Sequence, residues 1–116
     1  MINAQLKLIV PIFLSSKNRY EILSISDTKI EFPSISVEPF CDLHATMTTL
    51  ISRHIAETAD TRYKLIDIDI TDSVNIYYLS FVNYDATILS GYTHPIDINN
   101  NILPINAKQT ISLLIR

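Results

Sequence analysis

One long stretch of this chain, at about residues 43–58, carries the apolar spacing of a helix. Its apolar residues are separated by steps of four, three, one and four positions, which places them on one face of an amphipathic helix. They are Leu43, Met47, Leu50, Ile51 and Ile55. Asp42 comes just before them and has a side chain typical of a helix N-cap. The rest of the chain therefore has to pack against a single long helix.

Segments with the features of β-strands lie on both sides of this helix. In chain order, the sequence predicts strands at 6–14, 20–26, 29–32, 63–70 and 74–83 and a short helix at about 106–114. Apart from Lys7, the first strand is an apolar run, which is typical of burial on both faces. Pro11 should lie at an edge or bulge of the sheet because it has no amide hydrogen to donate. Pro33 and Pro39 indicate extended chain ahead of the long helix.

The fourth predicted strand alternates between apolar and acidic residues in its second half. Ile66, Ile68 and Ile70 should face one side of the sheet, and Asp67 and Asp69 should face the other. The isoleucine face of this strand is therefore expected to contact the apolar core, and the aspartate face is expected to contact solvent.

The last third of the chain has weaker patterns. Residues 83–101 are predicted to be irregular and contain the only glycine, Gly91. The short C-terminal helix is predicted to begin with Asn106 as its cap. Its predicted inward-facing residues are Ile111, Leu114 and Ile115. The strands and helices together favour a single α+β domain that spans residues 1–116, a length that suits one hydrophobic core.

Composition and charge narrow the classes of function. The formal net charge is -3, and the nine Lys and Arg residues are scattered, so general nucleic-acid binding is not expected. The single cysteine, Cys41, allows no intrachain disulfide. The first apolar run is too short to span a bilayer. We therefore expect a cytoplasmic protein of the cell or of an infected host. The mean hydropathy of +0.21 is high for a small domain and favours apolar surface for a partner or a second copy.

Four short motifs, in this order along the chain, resemble the Nudix hydrolase family. Glu31-Phe32-Pro33 is similar to the family's strand-ending W-E-L-P, and Val37-Glu38-Pro39 is similar to the V-E-P that precedes its helix. Glu57-Thr58-Ala59 resembles the E-E-T-G at the helix end, and Ile102-Leu103-Pro104-Ile105 resembles the stretch that leads into the last helix. The resemblance covers roughly residues 6–115 and implies a Nudix-like mixed sheet with one long and one short helix.

The chain departs from this family at the residues that carry its chemistry. The Nudix box, G-x5-E-x7-R-E-U-x-E-E-x-G-U, places glutamates one helical turn apart to hold magnesium against a diphosphate. In the corresponding stretch, residues 52–59, only Glu57 matches a glutamate, and Arg53 stands in the place of the first one. Asp42 would lie about 22 Å from Glu57 along a helix, too far to share an ion. The resemblance therefore implies a fold without its hydrolytic activity or magnesium cofactor.

Two other chemistries remain open for the same region. A Nudix-type groove without its metal site could still bind a nucleotide through Arg53 and Glu57. A rearranged hydrolase could instead build an acidic metal site from Glu57, Asp67 and Asp69, although Asp67 and Asp69 are also what a solvated strand face would carry.

The remaining candidate residues are a cysteine, histidines and tyrosines. Cys41, His44 and His54 suggest a zinc site or a Cys/His nucleophile, but Cys41 and His44 form only half of a zinc motif, and no group is evident that would orient a nucleophile. Tyr84 and Tyr92 lie in the segment predicted to be irregular and are candidates for an interface, where tyrosine is enriched. Ordinary packing is the more common explanation of all these residues.

The leading hypothesis is a catalytically inactive Nudix-like domain that acts as a protein-binding or assembly component. The partner would be another protein or a second copy, in a larger particle such as a virion or in another multi-protein complex. The alternatives are a nucleotide-binding or small-molecule-binding module and a hydrolase with a rearranged metal site. Neither membrane association nor a resident cofactor is expected.

Overall fold

The fold is α+β, as the sequence predicts. A computed structural model describes residues 4–38, 40–58, 60–70, 72–97, 99 and 102–114. The strands and helices of these residues are β1 Ala4–Ile9, β2 Pro11–Leu14, β3 Arg19–Ser24, β4 Ser34–Val37, α1 Leu43–Ser52, β5 Arg62–Ile70, β6 Val74–Phe81, β7 Tyr92–Pro95 and α2 Ile105–Leu114. None of the helices in the described part of the chain has the length and apolar character needed to span a membrane.

The strands form two sheets. One sheet has four strands in the order β4-β1-β6-β5 and is mixed, because β1 pairs with β6 in parallel and the other pairs are antiparallel. The other sheet is antiparallel and has the order β2-β3-β7. Leu8 and Ile9 are consecutive in β1 and therefore point to opposite faces, where they join two separate apolar clusters. Residues of α1 belong to the first cluster and residues of α2 to the second.

The apolar run at 6–14 is two strands in different sheets, so its prediction as one strand is wrong. The chain leaves the first sheet at Val10, whose carbonyl accepts a hydrogen bond from the Leu23 amide at 3.0 Å. Its β1 part is buried on both faces because the two apolar clusters, one with residues of α1 and one with residues of α2, cover opposite sides of the first sheet. Pro11 is the first residue of β2, an edge strand, which confirms its predicted place.

The strand predicted at 29–32 is wrong, and β4 lies slightly later in the chain. The buried hydroxyl of Ser24 shapes residues 25–31 into a loop, since it accepts from the Glu31 amide at 2.9 Å and lies 2.8 Å from the Lys29 carbonyl oxygen. Extended chain was expected at 33–39, and most of it is strand β4; Pro39 lies outside the described residues.

The long helix begins as predicted but ends early. Asp42 is its N-cap and accepts hydrogen bonds from the amides of His44 and Ala45. The helix stops at Ser52 instead of continuing to 58, so this part of the prediction is wrong. Backbone pairing with a later loop takes over: Ile55 forms a bridge with Ile88. Hydrogen bonds on either side of that bridge, at 2.7 and 3.0 Å, hold the segment in extended form.

The C-terminal helix agrees with its predicted range to one residue. Asn106 is not the cap, because it lies inside α2 and its side-chain amide donates to the Ile66 carbonyl at 3.0 Å. Ile111 is fully buried, as predicted. Neither the Leu114 side chain nor Ile115 belongs to the described part of the structure.

A β-bulge in β5 changes the predicted alternation of its isoleucines. The register with β6 shifts between Leu65 and Asp67, so Ile66 turns into the second apolar cluster. Ile68 instead lies opposite Ile76, whose side chain packs against the first cluster. The expectation that Ile66 shares a face with Ile68 is therefore wrong.

The segment predicted to be irregular contains strand β7. Gly91 precedes this strand with φ of 119°, which disfavours any residue with a Cβ atom. A Cβ atom there would also lie 2.9 Å from the Ser24 carbonyl oxygen. Gly91 therefore lets β7 approach β3 closely.

Glu21 in β3 is a buried carboxylate that ties the second sheet together. Arg19 donates two hydrogen bonds to Oε2 at 2.7 and 2.9 Å, Thr93 of β7 donates to Oε1 at 2.8 Å, and Lys17 lies 3.4 Å away. Burial raises the pKa of Glu21, but the hydrogen bonds from Thr93, Arg19 and Lys17 outweigh it and hold the pKa below its usual value.

Replacement of this carboxylate should weaken the fold in a pH-dependent way. We expect Glu21→Gln to lower the free energy of unfolding at pH 7 by roughly 1.5–3 kcal/mol, because hydrogen bonds to a charged group are lost. Since the folded pKa is depressed, this stabilisation is complete above the unfolded pKa of about 4.3 and disappears as the pH falls through the folded value. Urea unfolding at pH 7 and at pH 3 measures both effects.

The matched control for this experiment is Glu31→Gln, which removes an exposed carboxylate from the loop that follows β3. It should change the free energy of unfolding by no more than about 0.5 kcal/mol. An equal loss for both variants, or a loss at Glu21 that persists undiminished at pH 3, would contradict the assigned role.

Candidate functional site

The two residues proposed to bind a ligand in a Nudix-type groove lie beyond the end of α1. Arg53 is the helix C-cap and has an exposed side chain. Glu57 follows the bridged segment, and its carboxylate accepts a hydrogen bond from the Thr87 hydroxyl at 3.4 Å. Because the helix has ended, these residues do not share the helical face on which the family's chemistry depends.

The acidic residues of β5 lie on one face of their strand, as predicted. Asp67 is opposite Tyr77 of β6 and Asp69 is opposite Asn75. Burial raises the pKa of Tyr77, and the charges of Asp69 and Asp67 raise it further. These carboxylates border a cavity of about 220 Å³ that Leu103 and Pro104 close on the other side.

The structure does not bring the suggested metal ligands together. Within the described ranges, no three side chains of His, Cys, Asp or Glu lie close enough to hold one metal ion. This applies both to the acidic set with Glu57, Asp67 and Asp69 and to the set with Cys41, His44 and His54.

The histidines make structural contacts. The His44 ring packs edge-on against Tyr63, with centroids 5.8 Å apart. His54 donates from Nδ1 to the Ser90 carbonyl at 2.8 Å, since a carbonyl oxygen can only accept. His94 of β7 similarly donates from Nε2 to the Ser26 carbonyl at 2.7 Å. These hydrogen bonds fasten the bridged segment and β7 to neighbouring loops.

The two candidate interface tyrosines are both exposed. The Tyr84 ring packs at a tilted angle against the Phe13 ring, with ring centroids 5.1 Å apart. Tyr20 lies nearby: burial raises the pKa of Tyr20, and a hydrogen bond with Tyr84 raises it further. The loop of Tyr84 is fixed by Asp85, which accepts hydrogen bonds from the Ser15 amide and hydroxyl. Tyr92 begins β7 at the edge of its sheet. An aromatic patch thus exists at Tyr84, while Tyr92 stands at a separate strand edge.

The most exposed large apolar side chain in the described part of the chain is Phe40, which the sequence does not single out. It lies in a turn closed by a hydrogen bond from the Cys41 amide to the Glu38 carbonyl at 3.2 Å. Its φ of 62° is in the left-handed region, where a bulky residue is disfavoured by about 1–2 kcal/mol. The ring is fully exposed, so contacts within the chain do not offset this cost.

A groove of about 310 Å³ runs beside this turn, between β4 and α1. The strand side consists of Ile35 and Ser36, and the helix side is a stripe of small or polar residues one turn apart. The stripe is formed by Asp42, Ala45, Thr46 and Thr49. Glu38 and Cys41 line the end of the groove next to Phe40.

A larger polar pocket of about 540 Å³ lies at the other end of the first sheet. Arg62 and Asp60 provide opposite charges, Asn83 an amide, and Phe81 an aromatic ring. Thr61 also lines this pocket, and its buried Oγ1 has no hydrogen-bond partner among the described residues. These groups suit a polar, partly aromatic small molecule.

A substitution tests whether Phe40 is strained by its backbone. We expect Phe40→Asn to raise the free energy of unfolding by roughly 0.5–1 kcal/mol, because asparagine tolerates positive φ and no contact within the chain is lost. Phe40→Leu, which keeps an apolar side chain at the same φ, should stay close to the unchanged protein. Chemical denaturation measures both variants, and a loss of stability in Phe40→Asn would mean that the ring packs against its own chain.

The chain matches no protein-family model, and a search of curated proteins finds no match.

Proposed function

We propose that this chain is a catalytically inactive Nudix-like domain that binds another protein, as a component of a viral particle or of another multi-protein complex. The observation that carries the proposal is Phe40, a fully exposed aromatic residue held at positive φ. Strained, exposed residues of this kind are retained where the surrounding structure or a partner compensates for them. An aromatic anchor that enters a partner's pocket is a frequent centre of binding energy.

The Nudix-like part of the proposal draws support from the sequence motifs and from the arrangement of the elements. The first sheet is mixed, and α1 and α2 belong to apolar clusters on its opposite faces. The sequence of α1 contains no Asp or Glu, so the helix offers no carboxylate for magnesium. An inactive domain agrees with both observations.

A second apolar surface, on β5, supports a role in assembly. Leu65, Ile68 and Ile70 are 48%, 49% and 69% exposed. All three pair with residues of β6 and point to the sheet face of the first apolar cluster, against which Ile76 and Tyr78 pack. Apolar side chains grouped on one sheet face are typical of surfaces that a partner covers.

The proposal is tested by affinity capture of the tagged protein from the cells, or infected cells, that produce it. We expect a stoichiometric protein partner, or a set of proteins from one particle, to be recovered and identified by mass spectrometry. Phe40→Asn should reduce the recovery, because the exposed aromatic anchor is removed. A variant with Ile25→Asn, which removes another exposed apolar side chain away from both surfaces, is the matched control.

Self-association is measured separately by light scattering over a concentration series. A protein that stays monomeric and captures no partner would overturn the proposal. A concentration-dependent dimer without any other partner would restrict it to assembly of identical copies.

We propose nucleotide binding as the second candidate, because of the pocket beside Arg62. The guanidinium of Arg62 could pair with phosphate, and Phe81 could stack on a base. A nucleotide that binds only the folded state must raise the melting temperature. We expect a rise of about 2 °C or more at millimolar nucleotide. The rise should be lost in Arg62→Ala, and no rise with any common nucleotide would exclude this candidate.

A further inference from the structure

We propose that the groove between β4 and α1 accepts an extended, basic segment of the partner protein, which adds to the first sheet as a strand beside β4. This inference rests on the proposed protein-binding function and names the chemistry of the partner. Addition of a strand to an open sheet edge is a recurrent mode of peptide recognition, in which main-chain hydrogen bonds give affinity and side-chain pockets give specificity.

The backbone direction of β4 leaves hydrogen-bonding groups at its outer edge. β4 is the terminal strand of its sheet and pairs with β1 on one side. The Leu8 amide donates to the Pro33 carbonyl at 3.0 Å, so the carbonyl of Pro33 points towards β1. Backbone groups alternate in direction along a strand, and those of Ser34 and Ser36 therefore point away from β1. An added strand would find two donors and two acceptors there.

The shape of the groove suits a strand between this edge and the helix. Ser34 and Ser36 are exposed, and Ile35 between them is only partly covered by the first cluster. Across the groove, Ala45 and Thr49 are exposed residues of α1 with short side chains. Short side chains on the helix leave room for the alternate side chains of an inserted segment.

The charge of the groove favours a basic segment. Glu38 and Asp42 both line it, and none of the described residues that line it is Lys, Arg or His. A basic residue in the inserted segment would meet these carboxylates, whereas an acidic one would be repelled. Phe40 lies between Glu38 and Asp42 in the sequence, and its side chain is fully exposed. Its ring can therefore cover an apolar side chain of the partner.

The test is a nuclear magnetic resonance titration of the full chain with defined peptides. The probe is an acetylated five-residue peptide that alternates lysine and valine; its counterparts replace lysine with glutamate or carry methyl groups on every backbone nitrogen. We expect the amide signals of Ser34 and Ser36 to shift with the basic peptide. The acidic peptide should bind about five-fold or more weakly, and the methylated peptide, which cannot pair as a strand, should cause no shift.

Two substitutions, Ser36→Pro and Thr49→Arg, remove the proposed contacts. Any replacement of Ser36 also removes the hydrogen bond that Gln5 Nε2 of β1 donates to its Oγ at 2.9 Å, so Ser36→Ala is the matched control. Ser36→Pro removes an outward-facing amide, and proline is tolerated at a sheet edge, so the fold should remain. We expect it to weaken binding about ten-fold or more, whereas Ser36→Ala, which keeps the amide, should bind within about two-fold of the unchanged protein. Thr49→Arg, at an exposed helix position, fills the groove with a cation and gives a second route to the same loss.

The outcomes separate this inference from the proposed function. Any one of three results would overturn the strand-addition inference. The basic peptide at about 1 mM causes no shift, Ser36→Pro and Ser36→Ala bind it equally, or the shifts are confined to surfaces other than the groove. If the unchanged protein and Ser36→Pro capture the same protein partner equally well, this inference fails and the protein-binding function stands. If the unchanged protein neither captures a partner nor self-associates, the proposed function fails whatever the peptides do.

Discussion

The parallel pairing of β1 with β6 is the interaction on which the rest of the structure depends. It brings together strands that are far apart in sequence and places an apolar strand in the middle of the mixed sheet. Consecutive residues of β1, Leu8 and Ile9, then belong to clusters on opposite faces, and each helix has a face to cover. With β1 and β6 in the centre, β4 and β5 are left at the edges. The surfaces proposed for binding lie on these two edge strands, at the groove beside β4 and at the exposed apolar side chains of β5.

Features with local causes could be predicted from the sequence, and features with distant causes could not. Asp42 caps its helix through amides two and three residues away, and Pro11 lies at an edge because of its own missing donor. The end of α1, by contrast, is set by the bridge between Ile55 and Ile88, and continued apolar spacing after Ser52 gives no sign of it. The bulge at Ile66 similarly depends on burial against α2, so simple alternation assigned its face wrongly.

The candidate site divides in the same way. Exposure of Tyr84 follows from its position in a polar loop and could be predicted, whereas the positive φ of Phe40 follows from a turn that the sequence pattern did not reveal. The expectation for Arg53 and Glu57 assumed that both belong to a helix running to residue 58. Because the helix ends at Ser52, the positions of Arg53 and Glu57 depend instead on the backbone hydrogen bonds of the segment between them.

On the Nudix-like proposal, the side chains that α1 presents towards β4 favour a binding groove over a metal site. A magnesium site requires carboxylate oxygens among its ligands, together with water and phosphate. The helix α1 instead presents Ala45, Thr46 and Thr49 towards β4, and these short residues leave a groove of about 310 Å³. Negative charge remains only at its end, at Glu38 and Asp42, where it can attract a basic residue but is too sparse to hold a metal ion. Under the strand-addition proposal, this groove thus suits a cationic side chain on a partner protein.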